Sequence, residues 1–382
     1  MSTQPLKGIL VLDFSTLLPG PMATLMLAEA GAEVIKFERP GTGEDARLTD
    51  PKIEGESIGF AILNQGKKSV ALDLKAPGAV DALRPLLERA DVLVEQFRPG
   101  VMDRLGLGYE AARKINPRLI YCSITGYGQT GPKANTAGHD MNYVGDAGIL
   151  SLSRGPDENP TMPFALVADI GGGTYPAVVN ILLALRARDQ DGKGRHLDVA
   201  MAEGAFAFAY WAHAAAVVAG QDVPSSGTRL TGGMARYHLY PAADGRIVAV
   251  GAVEEKFWQA FCDVIGQPAE LRDDKRNPAA CVAEVARRLA AQPSTYWAPL
   301  LEAADCCCTI LKTLAEAARD PHFTARGVFA RRVSIGHREA PALPLPIAPE
   351  FRAPANQVKR AAPLGQHNQE FGFSQARTAG SD

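Results

Sequence analysis

Residues 8–14 (GILVLDF) form an almost unbroken apolar run of strand length, and the PGPMATLMLAEAGA that follows carries its apolar positions at helical spacing. EVIKFE, residues 33–38, then reads as a second strand, so the chain opens on a βαβ unit. The alternation continues. Ser69–Leu74 and Asp91–Glu95 are strand-like with a helical Ala79–Ala90 between them, and Leu119–Thr125 follows a short Ala111–Ile115 helix. Strands alternating with helices to about residue 125 predict an α/β fold, with a parallel sheet covered on both faces.

The pattern then changes. Gly171–Arg188 and Val199–Ala219 read as long helices rich in small residues, and Pro224–Ala235 (PSSGTRLTGGMA) is a glycine- and serine-rich break. Tyr237–Tyr240 and Arg246–Val250 flank AADG as a hairpin, followed by helical Lys256–Ile265, Ala279–Ala291 and Trp297–Ala304. Residues 226–325 are therefore expected to form a smaller α+β domain. The six prolines from Pro341 to Pro363 predict an extended tail lying along another surface.

Composition narrows the function without choosing it. A length of 382 residues suggests two domains, and 46% apolar against 21% charged residues is ordinary globular usage. With 40 Lys+Arg against 42 Asp+Glu the chain has no basic excess, so no nucleic-acid partner is expected. Cys122, Cys262, Cys281 and the run Cys306–Cys308 match neither a disulfide framework nor a CxxC metal module, which points to a reducing cytoplasm, with inert thiols as the default. Met1–Leu12 has no export-signal pattern, and Gly204–Gly220, the most membrane-like stretch, is short and polar for a bilayer span and is read as a buried helix. No metal site and no membrane association are expected.

Candidate chemistry lies at the strand ends. Glu38 closes the second strand where a ribose-binding acid would sit, but the preceding loop is STLLPGP and lacks the GxGxxG turn, which argues against a dinucleotide. Arg39 and Arg98 stand just beyond strand ends, where cations can converge on one anion; Lys67 and Lys68 precede their strand, and Arg104 follows in VMDRLGLG. Solvated surface charge is the competing reading for all five. The glycine-punctuated loop 126–148 carries His139 beside Asp140, and Asp169 ends the run FALVAD before Gly171–Gly173. The backbone N–H groups of Gly171 and Gly172 could receive a developing oxyanion, or Asp169 could simply cap a helix. Glu254 ends a strand-like run, either as a functional acid or, with Glu255, as a first-turn acidic pair.

Taken together, GILVLDFSTLLPGPMATLMLAEAGAEVIKFERP, KKSVALDLK, VLVEQFRPGVMDRLGLGYE, NPRLIYCSITGYGQTGP, AGHDMNYVGDAGIL, LVADIGGG, GKGRHLDVAMAEG and APLGQHNQE resemble the family III coenzyme A transferase (CaiB/BaiF) superfamily, and within it the α-methylacyl-CoA racemase branch. The resemblance implies an interlocked homodimer of ring-shaped chains. It also implies a Rossmann-like large domain from both chain ends (1–225 and 326–382), a coenzyme A thioester as substrate and no prosthetic group. It makes Arg39, Lys68, Arg98, Arg104 and Tyr127 expected coenzyme A contacts. His139 and Asp169 become the two bases flanking a substrate α-carbon, with Glu254 and Asp140 orienting the imidazole. In the transferase members the matching aspartate is instead a nucleophile, and a non-catalytic acyl-CoA-binding protein is a third reading. Met162, Phe164, Trp211 and Tyr237 are the residues expected to shape the acyl pocket. One departure falls in CCCTIL, where Ile310 stands in a segment that in racemases has a proline.

Overall fold

The computed structural model describes residues 4–153, 159–220 and 231–373; the Pro224–Leu230 part of the expected break lies outside them. Among the described residues, β1 (Leu10–Phe14), β2 (Glu33–Glu38), β3 (Lys68–Ala71), β4 (Val92–Glu95), β5 (Ile120–Thr125) and β6 (Arg195–Ala200) form one sheet in the order β3-β2-β1-β4-β5-β6. All of its pairings are parallel, with Val11 opposite Val34 on one side and Val92 on the other. Helices cover both faces, which is why β1, β4 and β5 are buried along their whole length and read as continuous rather than alternating apolar runs. The chain winds outward from β1 to β3, then returns to lay β4 on the far side of β1. That reversal opens a crevice beyond the carboxyl ends of β1 and β4, where open α/β sheets take their ligands.

Two stretches differ from the sequence expectation. Val199–Ala219 is not one helix: RHLDVA extends the sheet as β6, followed by a helix Met201–Ala205, a 3-10 turn Phe206–Ala209 and a helix Tyr210–Ala219. Nor is Gly204–Gly220 buried, since Phe206, Phe208, Tyr210 and Val217 are exposed and Val218 is 89% exposed. The longest apolar helical run is instead Val167–Asp191, long and apolar enough by composition to cross a membrane. It packs in the fold, with Ala177, Ile181, Ala184 and Arg188 buried.

The proline-rich tail is extended only in part. It contains a 3-10 turn Pro349–Phe351 and a strand Lys359–Arg360 that pairs with Arg332–Ile335. Beyond it, His367 N–H donates to the Ser69 carbonyl (3.0 Å), and the Asn368 side chain bonds both the N–H and the carbonyl of Ala71 (2.9 and 3.0 Å). The tail thus covers the free edge of β3, which would otherwise present unpaired backbone.

The chain divides into two units. The first comprises the described parts of Met1–Ala147, Phe164–Phe208 and Pro321–Asp382 and contains the parallel sheet. The second comprises the described parts of Gly148–Pro163 and Ala209–Asp320. Its antiparallel sheet of β7 (His238–Pro241), β8 (Ile247–Val250) and β9 (Cys308–Ile310) backs onto helices Glu255–Ile265, Pro278–Leu289 and Ser294–Ala304 around Trp258, Phe261, Val285 and Trp297.

Candidate active site

Beyond the carboxyl ends of β1, β4 and β5 lies a cavity of about 500 Å³. Its first wall, Thr16 and Leu17, stands on a pedestal of buried charge. Asp13 accepts from the Ser15 N–H (2.9 Å), the Ser15 and Thr24 hydroxyls (2.5 and 2.6 Å) and the Lys67 ammonium (3.1 Å), while the Lys36 ammonium donates to the Ser15 carbonyl (2.8 Å). Burial alone would raise the Asp13 pKa, but Lys67, Lys36 and the two hydroxyls outweigh it and hold the carboxyl well below the usual range. The next loop residue but one, Leu17, has a left-handed φ of +63°, an uncommon conformation for a side chain of that bulk and one that gathers at ligand sites. Gly20 closes the turn. Its N–H donates to Gln96 Oε1 (3.0 Å), and a Cβ there would stand 2.2 Å from that of Ser15.

The second wall comes from the residues after β4. Glu95 accepts from the Phe97 N–H (2.8 Å), and that turn directs Gln96 and Arg98 to the cavity. The third comes from helix Asp140–Asp146, where His139 is the extended N-cap residue; its N–H donates to Asn142 Oδ1 (3.0 Å), and it borders the cavity. Tyr143, one turn on, donates through its hydroxyl to the Gly138 carbonyl (2.5 Å).

Asp169 completes the site from an unexpected setting. Rather than capping a helix, it lies inside a π-helical run, Val167–Thr174, which continues into helix Tyr175–Asp191; Leu166 is the N-cap. Single π turns of this kind are frequent at functional sites. Here the wider turn accompanies very close packing. A Cβ on Gly171 would lie 2.3 Å from the Phe208 ring, one on Gly172 2.1 Å from the Met201 carbonyl oxygen and one on Gly173 2.9 Å from the Met201 side chain. The Asp169 N–H donates to Asp140 Oδ1 (2.9 Å), so the two acids are locked together through the backbone of one and the side chain of the other. Burial, then the Asp140 charge, push the Asp169 carboxyl up to about 6, with His139 acting in the opposite sense. The Tyr143 phenol is raised by burial and by Asp169, with Arg98 opposing. His139, Asp169, Arg98 and Tyr143 thus share one cavity.

The remaining expected residues lie elsewhere. Arg39 follows β2, donates to the Gly43 carbonyl (3.0 Å) and pairs with Asp45 (2.5 Å) at the surface. Lys68 pairs with Glu33 (2.6 Å) and with Glu370 of the tail. Arg104 is exposed at the end of a short helix Val101–Arg104, and the Tyr127 hydroxyl donates to Asp146 (2.5 Å) while its ring meets Tyr143 edge-on. Glu254 is the N-cap of helix Glu255–Ile265 in the second unit. Lys67 is a correction: it is buried, and its three ammonium donors are spent on Asp13, Asn64 and the Pro21 carbonyl, which leaves none for a ligand. Glu38 is likewise committed, to Arg47 (2.6 and 2.7 Å) and the Ser69 hydroxyl (2.8 Å). None of Met162, Phe164, Trp211 and Tyr237 lines this cavity, and Phe164 is 99% exposed. Gln96, Tyr143 and Leu17 were not expected. Gln96 had a signal, its place directly after a strand at the sheet's reversal point.

A model of CoA-transferase family III matches residues 6–368. The chain belongs to this family. The human alpha-methylacyl-CoA racemase is 34% identical over 97% of this chain and 94% of its own length, and the Acetobacter aceti acetyl-CoA:oxalate CoA-transferase is 37% identical over 86% of each. A crystal structure of a CAIB/BAIF family protein from Brucella suis superposes with a TM-score of 0.82 at 30% identity, covering 97% of this chain and 99% of that one. Family III is enzymatic, and its racemases and CoA-transferases are both similar to this chain across most of their length.

Proposed function

We propose that the protein is an acyl-CoA racemase that inverts the α-carbon of 2-methylacyl-CoA thioesters by two-base proton transfer. The observation that carries this reading is that His139 and a half-buried Asp169, whose carboxyl is pushed up to about 6, line one cavity. Inversion at carbon needs a base on one face and an acid on the other, because the proton leaves from one side and returns from the opposite one. A carboxyl pushed up to about 6 is poised for both duties near neutral pH. In one direction neutral His139 takes the α-proton while protonated Asp169 delivers one to the other face; in reverse the roles exchange.

Charge develops on the thioester oxygen as the α-proton leaves. The backbone of the Asp169–Gly172 stretch does not supply the donors expected for it: the Asp169 N–H is donated to Asp140, the Ile170 N–H to the Leu166 carbonyl (3.0 Å), and Gly171 and Gly172 lie inside the π-helical run. Asp140 fixes Asp169 through its backbone. Arg98, on the cavity wall, is the first phosphate or pantetheine contact, with Arg39, Arg104 and Tyr127 assigned to the nucleotide end; Lys68 opens β3 at the amino edge of the sheet, paired with Glu33, and is not among them. The scheme uses only side-chain acids and bases, without a prosthetic group or metal. We place the protein in the cytoplasm, to which its six free cysteines are suited, and infer a homodimer. The exposed Val179, Leu182 and Leu183 of helix Tyr175–Asp191, with Phe206 and Phe208, support that inference as an apolar face suited to a second copy.

The second reading is a CoA-transferase in which Asp169 takes up the acyl group and then coenzyme A as a covalent adduct, supported by the 37% identity to the oxalate enzyme. Incubation with a 2-methylacyl-CoA in deuterated water separates the two. The racemase exchanges the α-hydrogen with inversion and leaves Asp169 unmodified. A hydroxylamine-sensitive adduct on Asp169 without exchange would establish the transferase, and ligand-induced thermal stabilisation with neither signal would leave a binding protein.

A further inference from the structure

Gln96 is the first residue beyond β4, where the strand order reverses, and it is half-buried on the wall of the cavity that holds His139 and Asp169. One partner fixes which way its carboxamide points. The Gly20 N–H donates to it (3.0 Å), and only the oxygen of a carboxamide accepts, so Oε1 faces Gly20 and the NH2 group is the free end. Glycine is needed for that approach, since a Cβ on Gly20 would stand 2.9 Å from Gln96 Oε1. Among the described residues nothing accepts from Gln96 Nε2.

The same peptide group ties Gln96 to Asp169. The Pro19 carbonyl, which shares its peptide plane with the Gly20 N–H, accepts from the fully buried Thr174 hydroxyl (2.9 Å), and that hydroxyl also lies 3.3 Å from the Asp169 carbonyl oxygen. The carboxamide is therefore held, through one peptide and one hydroxyl, to the backbone of the acid across the cavity. Other donors on the wall are less suited to a developing charge. The Asp169 N–H goes to Asp140, the Tyr143 hydroxyl goes to the Gly138 carbonyl, and Asn142 and Arg98 are exposed. A donor oriented in advance and shielded from water stabilises an oxyanion most, because nothing has to reorganise as the charge appears.

Resting on the racemase reading, we propose that Gln96 is a further catalytic residue, whose Nε2 donates a hydrogen bond to the thioester carbonyl oxygen of the substrate. As the α-proton leaves for one base, the electron pair of the broken C–H bond forms the carbon–carbon double bond of an enolate and the carbonyl π pair moves onto oxygen. Gln96 donates a hydrogen bond to that oxygen and keeps its own proton, so only His139 and Asp169 exchange protons with carbon. The enolate held in this way is planar at the α-carbon and takes a proton on either face.

The test joins infrared spectroscopy to kinetics on the full chain, with a 2-methylacyl-CoA carrying ¹³C at the thioester carbonyl. In the wild-type complex the labelled carbonyl band should lie at lower frequency than in the Gln96→Met complex, where the side chain keeps its length and loses its donor. Gln96→Glu retains an oxygen for the Gly20 N–H and puts an acceptor where the donor stood, so it should match Gln96→Met and separates loss of the donor from damage to the loop. Both variants should lose about a hundred- to a thousandfold in kcat for α-hydrogen exchange with KM little changed, as removal of one oxyanion donor does. A carbonyl band that stays put in both variants, or a loss confined to KM, would overturn the proposal. If the wild type neither exchanges nor inverts the α-hydrogen, the racemase reading fails, and the labelled band still decides whether Gln96 holds the thioester.

Discussion

Replacing Asp13 with asparagine keeps the size of a fully buried side chain and removes its charge. The Lys67 ammonium, 3.1 Å away with 1% of its side chain exposed, is then left with only neutral partners, and Lys36 loses part of its field. Breaking a buried pair from one side costs about 3–5 kcal/mol, a large share of the roughly 5–15 kcal/mol that holds a native protein together. At about 2.1 cal/mol/K of unfolding entropy per residue, 382 residues give roughly 1.2 °C per kcal/mol, so the midpoint of thermal unfolding should fall by roughly 4–6 °C. The deficit should also depend on pH in a definite sense. The native Asp13 pKa is depressed, so in the wild type its contribution is present above the unfolded carboxylate pKa and is lost only as pH falls through the native value. Lys67 is lowered to about 8, by burial first, with Asp13 opposing; without Asp13 it falls further. A lysine with a depressed native pKa destabilises most when protons are abundant, so the variant's deficit should shrink from pH 6 to pH 9 as Lys67 sheds its proton. Thermal melts followed by circular dichroism across that range read both effects. A loss under about 1 kcal/mol, or one that ignores pH, would refute the view that this charge network carries the loop of Thr16 and Leu17.

Two further outcomes follow from the site. Gly172→Ala would drive a Cβ to 2.1 Å from the Met201 carbonyl, so it should cost at least the 1–3 kcal/mol or so of ordinary overpacking. Gly145→Ala, whose Cβ meets nothing within 4 Å, should be neutral or stabilising in the same melts. Asp140→Asn retains an oxygen for the Asp169 N–H but removes the charge that raises the Asp169 carboxyl. The acid limb of the pH–rate profile should therefore move to lower pH, and an unmoved limb would mean that some other group titrates there.

The parallel sheet was legible because β1, β2 and β4 carry their apolar content in short, continuous runs that only a doubly covered sheet can bury. His139 and Asp169 were legible as residue types in marked loops. Their mutual setting was not, because the π turn around Asp169 accompanies the packing of Gly171–Gly173 against residues 201–208, a tertiary effect with no local signature. Lys67 misled for the same reason. Before a strand it reads as surface charge, and only the fold brings Asp13 across to it. In β6 the alternation of RHLDVA was masked by the alanine-rich sequence after it, although the first four positions do alternate in exposure along the sheet edge. Leu17 gives no warning in sequence of its left-handed backbone.

The two-base assignment is tested most directly by following each epimer of a 2-methylacyl-CoA separately in deuterated water with His139→Ala. If His139 and Asp169 serve opposite faces, the variant should lose racemisation by several orders of magnitude yet still exchange the α-hydrogen of the epimer that presents it to Asp169, without inverting it. Equal residual exchange from both epimers, or full racemisation, would contradict the account.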